Sequence, residues 1–359
     1  MGVTARLEKL RQKLAEKEIE AILISQPENR YYLSGFTGSW GFLIITAEKA
    51  ILATDFRYLE QAREEAPEFE VFRITNEIAD WLPKLVAQIG LSKLGFEAGH
   101  VTFAWHRGLI NIINKMEAPP KLVPLDGVVE SLRVSKEPEE IELITRAAEI
   151  GDQAFAHLEE IIRPGMSEKE AAWEIEKFLR ENGSQTLPFE VIVASGPNSA
   201  MPHAKPSPRP IQCGEPVVVD IGARFGGYCS DLTRTIYLGT PDDTFRKIYD
   251  IVLGAQLTVM AIIKEGMTGE EADNLARKVI EQTDYAEAFG HALGHGVGLA
   301  PHEAPRLGPG SKEKLTPGMV FTVEPGIYLP SWGGVRIEDL VVMENGKAKV
   351  ISKARKVER

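Results

Sequence analysis

The sequence has little that would mark a disulfide-built, membrane-spanning or nucleic-acid-binding protein. It has two cysteines, Cys213 and Cys229, too few for a disulfide framework. No apolar run approaches the ~20 residues that cross a bilayer. The opening stretch, MGVTARLEKLRQKLAEKEIE, is too charged to hold the apolar centre of a signal peptide. Positive charge is in deficit: 41 Lys and Arg stand against 52 Asp and Glu, a net charge of −11 that argues against a basic nucleic-acid surface. Together these absences predict a cytoplasmic protein with neither a membrane nor a nucleic acid as partner. What is present is globular. A hydrophobic share of 43% and a charged share of 26% over 359 residues suit two folded domains.

The first part alternates helix and strand. Leu7, Leu10, Leu14 and Ile19 fit one amphipathic helix, and strands are predicted at 21–25, 42–46, 50–54, 70–75 and 93–98. Helical patterns lie near 77–88 and 102–115. This is an α/β domain, predicted to span 1–128, where the Asp126-Gly127 turn signal ends it. The second domain, 129–359, opens with a long helix from Pro138. It holds an internal echo: IIRPGMSEKEA (161–171) and IIKEGMTGEEA (262–272) align without a gap at an offset of 101 residues. Each joins two helices, with Ser167 or Thr268 as N-cap. The echo predicts a duplicated α/β half, an α+β arrangement about a pseudo-two-fold axis with a site at the seam.

The strongest chemical signal is a pair of hairpins. VVVDIGARFGGYCSDLTRTIYL (217–238) reads as strand, turn, strand; folding it about the Phe225–Gly226 peptide sets Asp220 opposite Asp231. VFTVEPGIYLPSWGGVRIEDLVVM (320–343), folded about Ser331, sets Glu324 opposite Glu338. Opposed residues lie about 4.5–5.5 Å apart, where like charges destabilise the pair, and strands disfavour Asp in any case. A single strand carboxylate commonly faces solvent or a basic partner. Two opposed pairs in strands this apolar call for a cation.

Four of the seven histidines sit in Gly- or Pro-rich segments: His203, His291, His295 and His302. The other three, His100, His106 and His157, read as surface or packing residues. The H-x-x-x-H spacing of His291 and His295 is no zinc helix, because Ala292 stands where that motif has Glu and Gly294 and Gly296 weaken a helix. One ligand from this pair is the simpler reading. Four carboxylates and one imidazole exceed what one ion needs, whereas two divalent ions offset four carboxylates. An oxygen-rich set with one imidazole favours Mn²⁺, Fe²⁺ or Co²⁺ over a thiolate-type structural zinc.

VVVDIGA, YCSDLTRT, GHGVGL, TVEPGIY and GVRIED follow in the order of the metal-ligand motifs of the pita-bread metallopeptidases. NRYYLSGFTGSWGFLIIT and ATDFRYLEQA are similar to a creatinase-type N-terminal domain. The chain therefore resembles, nearly end to end, the prolidase family of Xaa-Pro dipeptidases and aminopeptidases. The resemblance implies an α/β N-terminal domain followed by a pita-bread domain. It implies Asp220, Asp231, His295, Glu324 and Glu338 as ligands of two divalent metal ions, with Asp231 and Glu338 bridging. Mn²⁺ or Co²⁺ is expected, with Fe²⁺ or Zn²⁺ as alternatives.

It further implies His203 near the scissile bond, His302 near the reacting carbonyl, Arg306 near the far end of the substrate and Phe189 as a wall of the proline pocket. Glu324 would shuttle a proton. Arg336, two residues before Glu338, would meet a substrate carboxylate or support the site. The implied activity is hydrolysis of the Xaa-Pro bond in dipeptides, with a proline-containing peptide as partner; the alternative is an aminopeptidase acting on longer peptides. A non-catalytic binding module is the more distant rival, which the full ligand set opposes. The family also implies a homodimer, to which Tyr31 and Trp40, in loops of the N-terminal domain, would contribute.

Overall fold

The computed structural model describes residues 2–356. The chain divides into two compact units, Met1–Arg133 and Val134–Arg359. The first ends five residues beyond the expected boundary at 128, and the reason is local. The short helix Glu130–Arg133 belongs to the first unit: Arg133 donates to Asn29 Oδ1 at 2.8 Å, and Tyr32 donates to Leu132 O at 3.1 Å.

The first unit is a six-stranded mixed sheet. Its order is Glu70–Ile74, Ala50–Asp55, Phe42–Thr46, Ala21–Ile24, Lys93–Glu97, Lys121–Leu125. The central strand Ala21–Ile24 is buried at all four positions, as expected of an apolar run covered on both faces. Helix Val3–Glu16 buries Leu7, Leu10 and Leu14. Helix Ile78–Ile89 buries Trp81, Leu82, Leu85 and Val86. Tyr31 lies in helix Pro27–Ser34 and not in a loop, because Pro27 is well suited to a first helical turn. Trp40 does lie in a loop, with its ring edge-on to Phe42 at 5.6 Å.

The second unit is built twice. Helices Pro138–Ile161 and Glu168–Glu181 back an antiparallel sheet of Ile192–Ser195, Pro216–Ile221 and Leu232–Tyr237. Helices Asp243–Ile262 and Gly269–Ile280 back a second antiparallel sheet, which includes Gly294–Gly296, Val320–Val323 and Asp339–Glu344. Each half has its own apolar core, the first around Leu158, Ile175 and Val219, the second around Val252, Ala276 and Phe321. The sequence echo is a structural one. Ser167 and Thr268 both cap their helices in capping boxes with Glu170 and Glu271. The turn before each cap bonds the same way: Gly165 N donates to Ile211 O, and Gly266 N to Leu315 O, both at 2.8 Å. Among the described residues no helix is long and apolar enough to cross a membrane.

Candidate active site

The first hairpin differs from expectation. Its ladder pairs Asp220 with Thr233, not with Asp231, and Phe225 with Tyr228. The turn is therefore Gly226-Gly227, with φ of 55° and 83°. A two-residue hairpin turn with positive φ at both positions is one that glycine adopts without strain. Moving the turn by one residue shifts the register by two places, leaving Asp231 diagonal to Asp220. Because side chains alternate with period two, the diagonal keeps both on one face. The second hairpin turns at Ser331, φ 70°, and pairs Val323 with Asp339 and Gly326 with Arg336. Those flanking pairs leave Glu324 opposite Glu338, as the sequence reading has it.

All ten side chains singled out from the sequence line one cavity of about 800 Å³: Phe189, His203, Asp220, Asp231, His295, His302, Arg306, Glu324, Arg336 and Glu338. Asp231, His295 and Glu338 each offer a ligand atom, and these atoms lie within 4.8 Å of one another. His295 Nε2 stands 3.6 Å from Asp231 Oδ2 and 3.4 Å from Glu324 Oε1. Its Nδ1 lies 3.1 Å from Gly296 O, a bond that fixes the tautomer and leaves Nε2 free to accept. Strand Gly294–Gly296 can bring the imidazole here only because its glycines lack side chains. A Cβ on Gly294 would fall 2.0 Å from Thr322 O, and one on Gly296 would fall 2.1 Å from Ala304 O.

The electrostatics are unbalanced. Asp231 and Glu338 are 5% and 2% exposed. Two ionised carboxylates within 4.8 Å repel by about 3 kcal/mol or more at an effective dielectric near 20. Burial, then the charges of Glu338, Asp220 and Glu324, pushes Asp231 well above the usual carboxylate range. Burial, then Glu324 and Asp220, does the same to Glu338. Burial raises Glu324 to about 7. His295 is lowered to about 4, first by burial and then by His302, so its imidazole is neutral and fit to ligate. Asp220 Oδ1 is buried without a hydrogen-bond partner. A carboxylate oxygen in that state, among carboxylates pushed upward by burial and by one another, fits a site for divalent cations.

Arg336 brings one positive charge but spends it inside the protein. Nη2 donates to Asp220 Oδ2 at 2.6 Å, Nη1 to Tyr328 Oη at 2.9 Å and Pro202 O at 3.2 Å, and Nε to Thr233 Oγ1 at 3.1 Å. Of its two expected roles, this geometry suits support of the site and not capture of a substrate carboxylate. Arg306 is exposed on strand Glu303–Leu307, with Nη1 on Pro309 O at 2.8 Å. His203 and His302 are exposed, and the His302 ring centroid lies 4.1 Å from that of His295. Phe189 packs over Gly222, where a Cβ would come 2.7 Å from Phe189 Cε1. His106 and His157 pack on Phe96 and Phe178, and His100 is exposed.

Sequence reasoning missed the groups that hold the carboxylates. Thr233 donates to Glu338 Oε2 at 2.6 Å, and Thr322 donates to Glu324 Oε1 at 3.1 Å. Tyr328 Oη accepts from Arg336 and lies 3.1 Å from His291 Nε2. The signal was available: Thr233 follows Asp231 by two, and Thr322 precedes Glu324 by two, so each shares a strand face with a carboxylate.

Known proteins share this arrangement. A family model for metallopeptidase family M24 matches residues 142–345, and one for the creatinase/prolidase N-terminal domain matches residues 6–135. The chain is 38% identical to the Xaa-Pro dipeptidase of Pyrococcus furiosus over 97% of each chain. Its structure is similar to that of an Xaa-Pro dipeptidase from Bacillus anthracis, at 42% identity and a TM-score of 0.95 over 99% of each chain. It is also similar to an X-Pro aminopeptidase from Thermotoga maritima, at 36% identity and a TM-score of 0.88 over 96% of this chain and 98% of that one. With a creatinase/prolidase-type unit preceding a pita-bread unit, the chain belongs to metallopeptidase family M24 and is a peptidase of the prolidase branch.

Proposed function

We propose that this peptidase hydrolyses the Xaa-Pro bond of dipeptides at a dinuclear centre whose ligands are Asp220, Asp231, His295, Glu324 and Glu338. The observation that carries the reading is the buried cluster of Asp231, His295 and Glu338 beside the unpartnered Asp220 Oδ1. Two divalent ions, Mn²⁺ or Co²⁺ by the oxygen-rich donor set, would supply Lewis acidity and lower the pKa of a water to the physiological range. Glu324 lines the cavity beside the proposed ions, where its carboxylate can accept and return a proton, and Thr322 holds its Oε1 in place. His302 and His203 lie on the cavity wall, where they can hydrogen-bond the substrate carbonyl and orient the scissile bond.

The Xaa-Pro bond is a tertiary amide with no N–H, so selection must come from shape. Phe189, fixed over Gly222, offers an apolar wall to the pyrrolidine ring. Arg306, exposed on the same cavity, offers a charge to the free carboxylate of a dipeptide. The likeness to the Thermotoga maritima X-Pro aminopeptidase supports a second reading, cleavage of longer peptides. A homodimer belongs to the same proposal by resemblance and a cytoplasmic location by the low cysteine count, and sedimentation tests the first.

The deciding experiment uses chelated protein reloaded with Mn²⁺ or Co²⁺. Cleavage of Met-Pro without cleavage of Met-Pro-Ala is expected. Strong cleavage of the tripeptide would replace the dipeptidase reading with the aminopeptidase one. Inactivity on both would remove the catalytic reading.

A further inference from the structure

Strand Leu232–Tyr237 has a second face. With period-two alternation, Asp231, Thr233 and Thr235 point one way, and Leu232, Arg234 and Ile236 the other. Arg234 is 2% exposed, the largest fully buried side chain among the described residues. Every nitrogen of its guanidinium is engaged. Nη1 donates to Thr233 O at 2.9 Å and to Glu338 O. Nη2 donates to Asp339 Oδ1 at 2.6 Å and to Ala354 O at 2.8 Å. Nε donates to Ala354 O and Arg355 O, each at 3.2 Å.

The first two partners define the seam between the hairpins. Thr233 O also accepts the backbone N–H of Glu338 at 3.1 Å, so Arg234 clasps the junction that sets Asp231 against Glu338. Asp339 follows Glu338 on the same hairpin, and the remaining partners, Ala354 O and Arg355 O, come from residues 352–356. That segment is docked at several points. Leu340 N donates to Ser352 Oγ at 2.9 Å. The N–H groups of Lys353 and Ala354 donate to the two oxygens of Asp152, each at 2.8 Å. Lys356 Nζ reaches Asp339 Oδ2 at 2.7 Å. Asp339 is thus neutralised by one cation from the strand and one from the segment.

We infer that Arg234 is a positioning residue for the Asp231–Glu338 pair, and that residues 352–356, anchored by Asp152, complete its socket. The inference rests on the proposal that this pair binds metal. Removing the segment takes three acceptor bonds from Arg234 and one countercharge from Asp339, in a place where unpaired buried groups are costly. The guanidinium then loses the geometry that spans both hairpins. Outer partners of metal ligands of this kind are worth about 10–100-fold in metal affinity.

The test uses Asp152→Ala, which undocks the segment from helix Pro138–Ile161 without touching either hairpin, and Arg234→Lys, whose point charge cannot span the seam. Leu179→Ala, a core truncation in the same unit, is the control for lost stability. Mn²⁺ affinity is measured by calorimetry on chelated protein, the Co²⁺ absorption spectrum reports ligand geometry, and amide exchange of metal-free protein follows residues 232–236 and 338–342. Asp152→Ala should weaken Mn²⁺ about 10-fold or more, alter the Co²⁺ bands and speed exchange in both strands, with Asp152→Asn restoring part of each. Leu179→Ala should speed exchange through lost stability but leave Mn²⁺ affinity and the Co²⁺ bands unchanged. Unchanged affinity and spectrum in Asp152→Ala, with faster exchange of 352–356 showing the segment released, would overturn the positioning role alone. Failure of the unmodified protein to bind Mn²⁺ or Co²⁺ would overturn the metal reading and this role with it.

Discussion

The two faces of the ligand-bearing strands solve the same problem differently. On the outer face, Asp339 is paired with both Arg234 and Lys356, so its buried charge is met within the chain. On the cavity face, Arg336 is hydrogen-bonded to one of four carboxylates, Asp220, Asp231, Glu324 and Glu338. One face is complete as folded; the other is built with an anionic surplus. The contrast teaches that burial of charge is not itself the mark of a site. A buried pair whose partners are all supplied by the chain is architecture. A buried group whose neutralisation the chain withholds marks where an ion belongs.

The comparison can be broken outright. Asp231→Asn removes a central member of the surplus, and turnover of Met-Pro should fall by more than about 100-fold, beyond the loss of an outer partner, with the circular dichroism spectrum retained. Full turnover after chelation and reloading would sink the dinuclear assignment.

It can be sharpened without substrate. Folded Glu324 sits at about 7 against an ordinary 4.5, so the metal-free fold binds a proton that the unfolded chain has released. Stability from this group is present below pH 4.5 and is lost as pH rises through about 7, an effect of the order of 2–3 kcal/mol. Denaturant titrations of chelated protein between pH 5 and 8 should show it, Glu324→Gln should flatten the trend, and added Mn²⁺ should oppose it. Equal slopes for Glu324→Gln and the unmodified protein would mean the proton resides elsewhere.

Thr233→Val deletes the O–H that orients Glu338 Oε2. Mn²⁺ affinity should drop about 10–100-fold; calorimetry indistinguishable from the unmodified protein would demote Thr233 to packing. The smallest effect concerns the rim. Arg306→Gln should raise KM for Met-Pro about 10-fold, the worth of one charged hydrogen bond, with kcat little changed. An unchanged KM would show that the arginine does not meet the substrate carboxylate.

Much of this was legible in the sequence, for identifiable reasons. Apolar runs such as Ala21–Ile24 and the capping boxes at Ser167 and Thr268 are local signals, and local signals survive folding. The opposed carboxylates were visible because strand alternation depends only on parity. Parity also forgave the error at Gly226-Gly227, where the register moved by two places, an even shift that kept Asp220 and Asp231 on one face. What stayed hidden was contact at a distance. The reach of Arg234 to Ala354 crosses 120 residues, and the seam bond of Glu338 to Thr233 crosses more than 100. No periodicity encodes which side chain a distant segment will meet. The last five residues of the first unit were hidden likewise, because the turn at Asp126-Gly127 says nothing of Arg133 returning to Asn29.

That seam also has a bearing on biosynthesis. Asp220 and Asp231 lie in one half, while His295, Glu324 and Glu338 come last and from the other. The proposed coordination sphere is incomplete in any nascent chain shorter than 338 residues. Closing so long a loop is a late, slow step compared with forming either helix pair. The proposed ligand set can therefore come together only after both halves have folded and met.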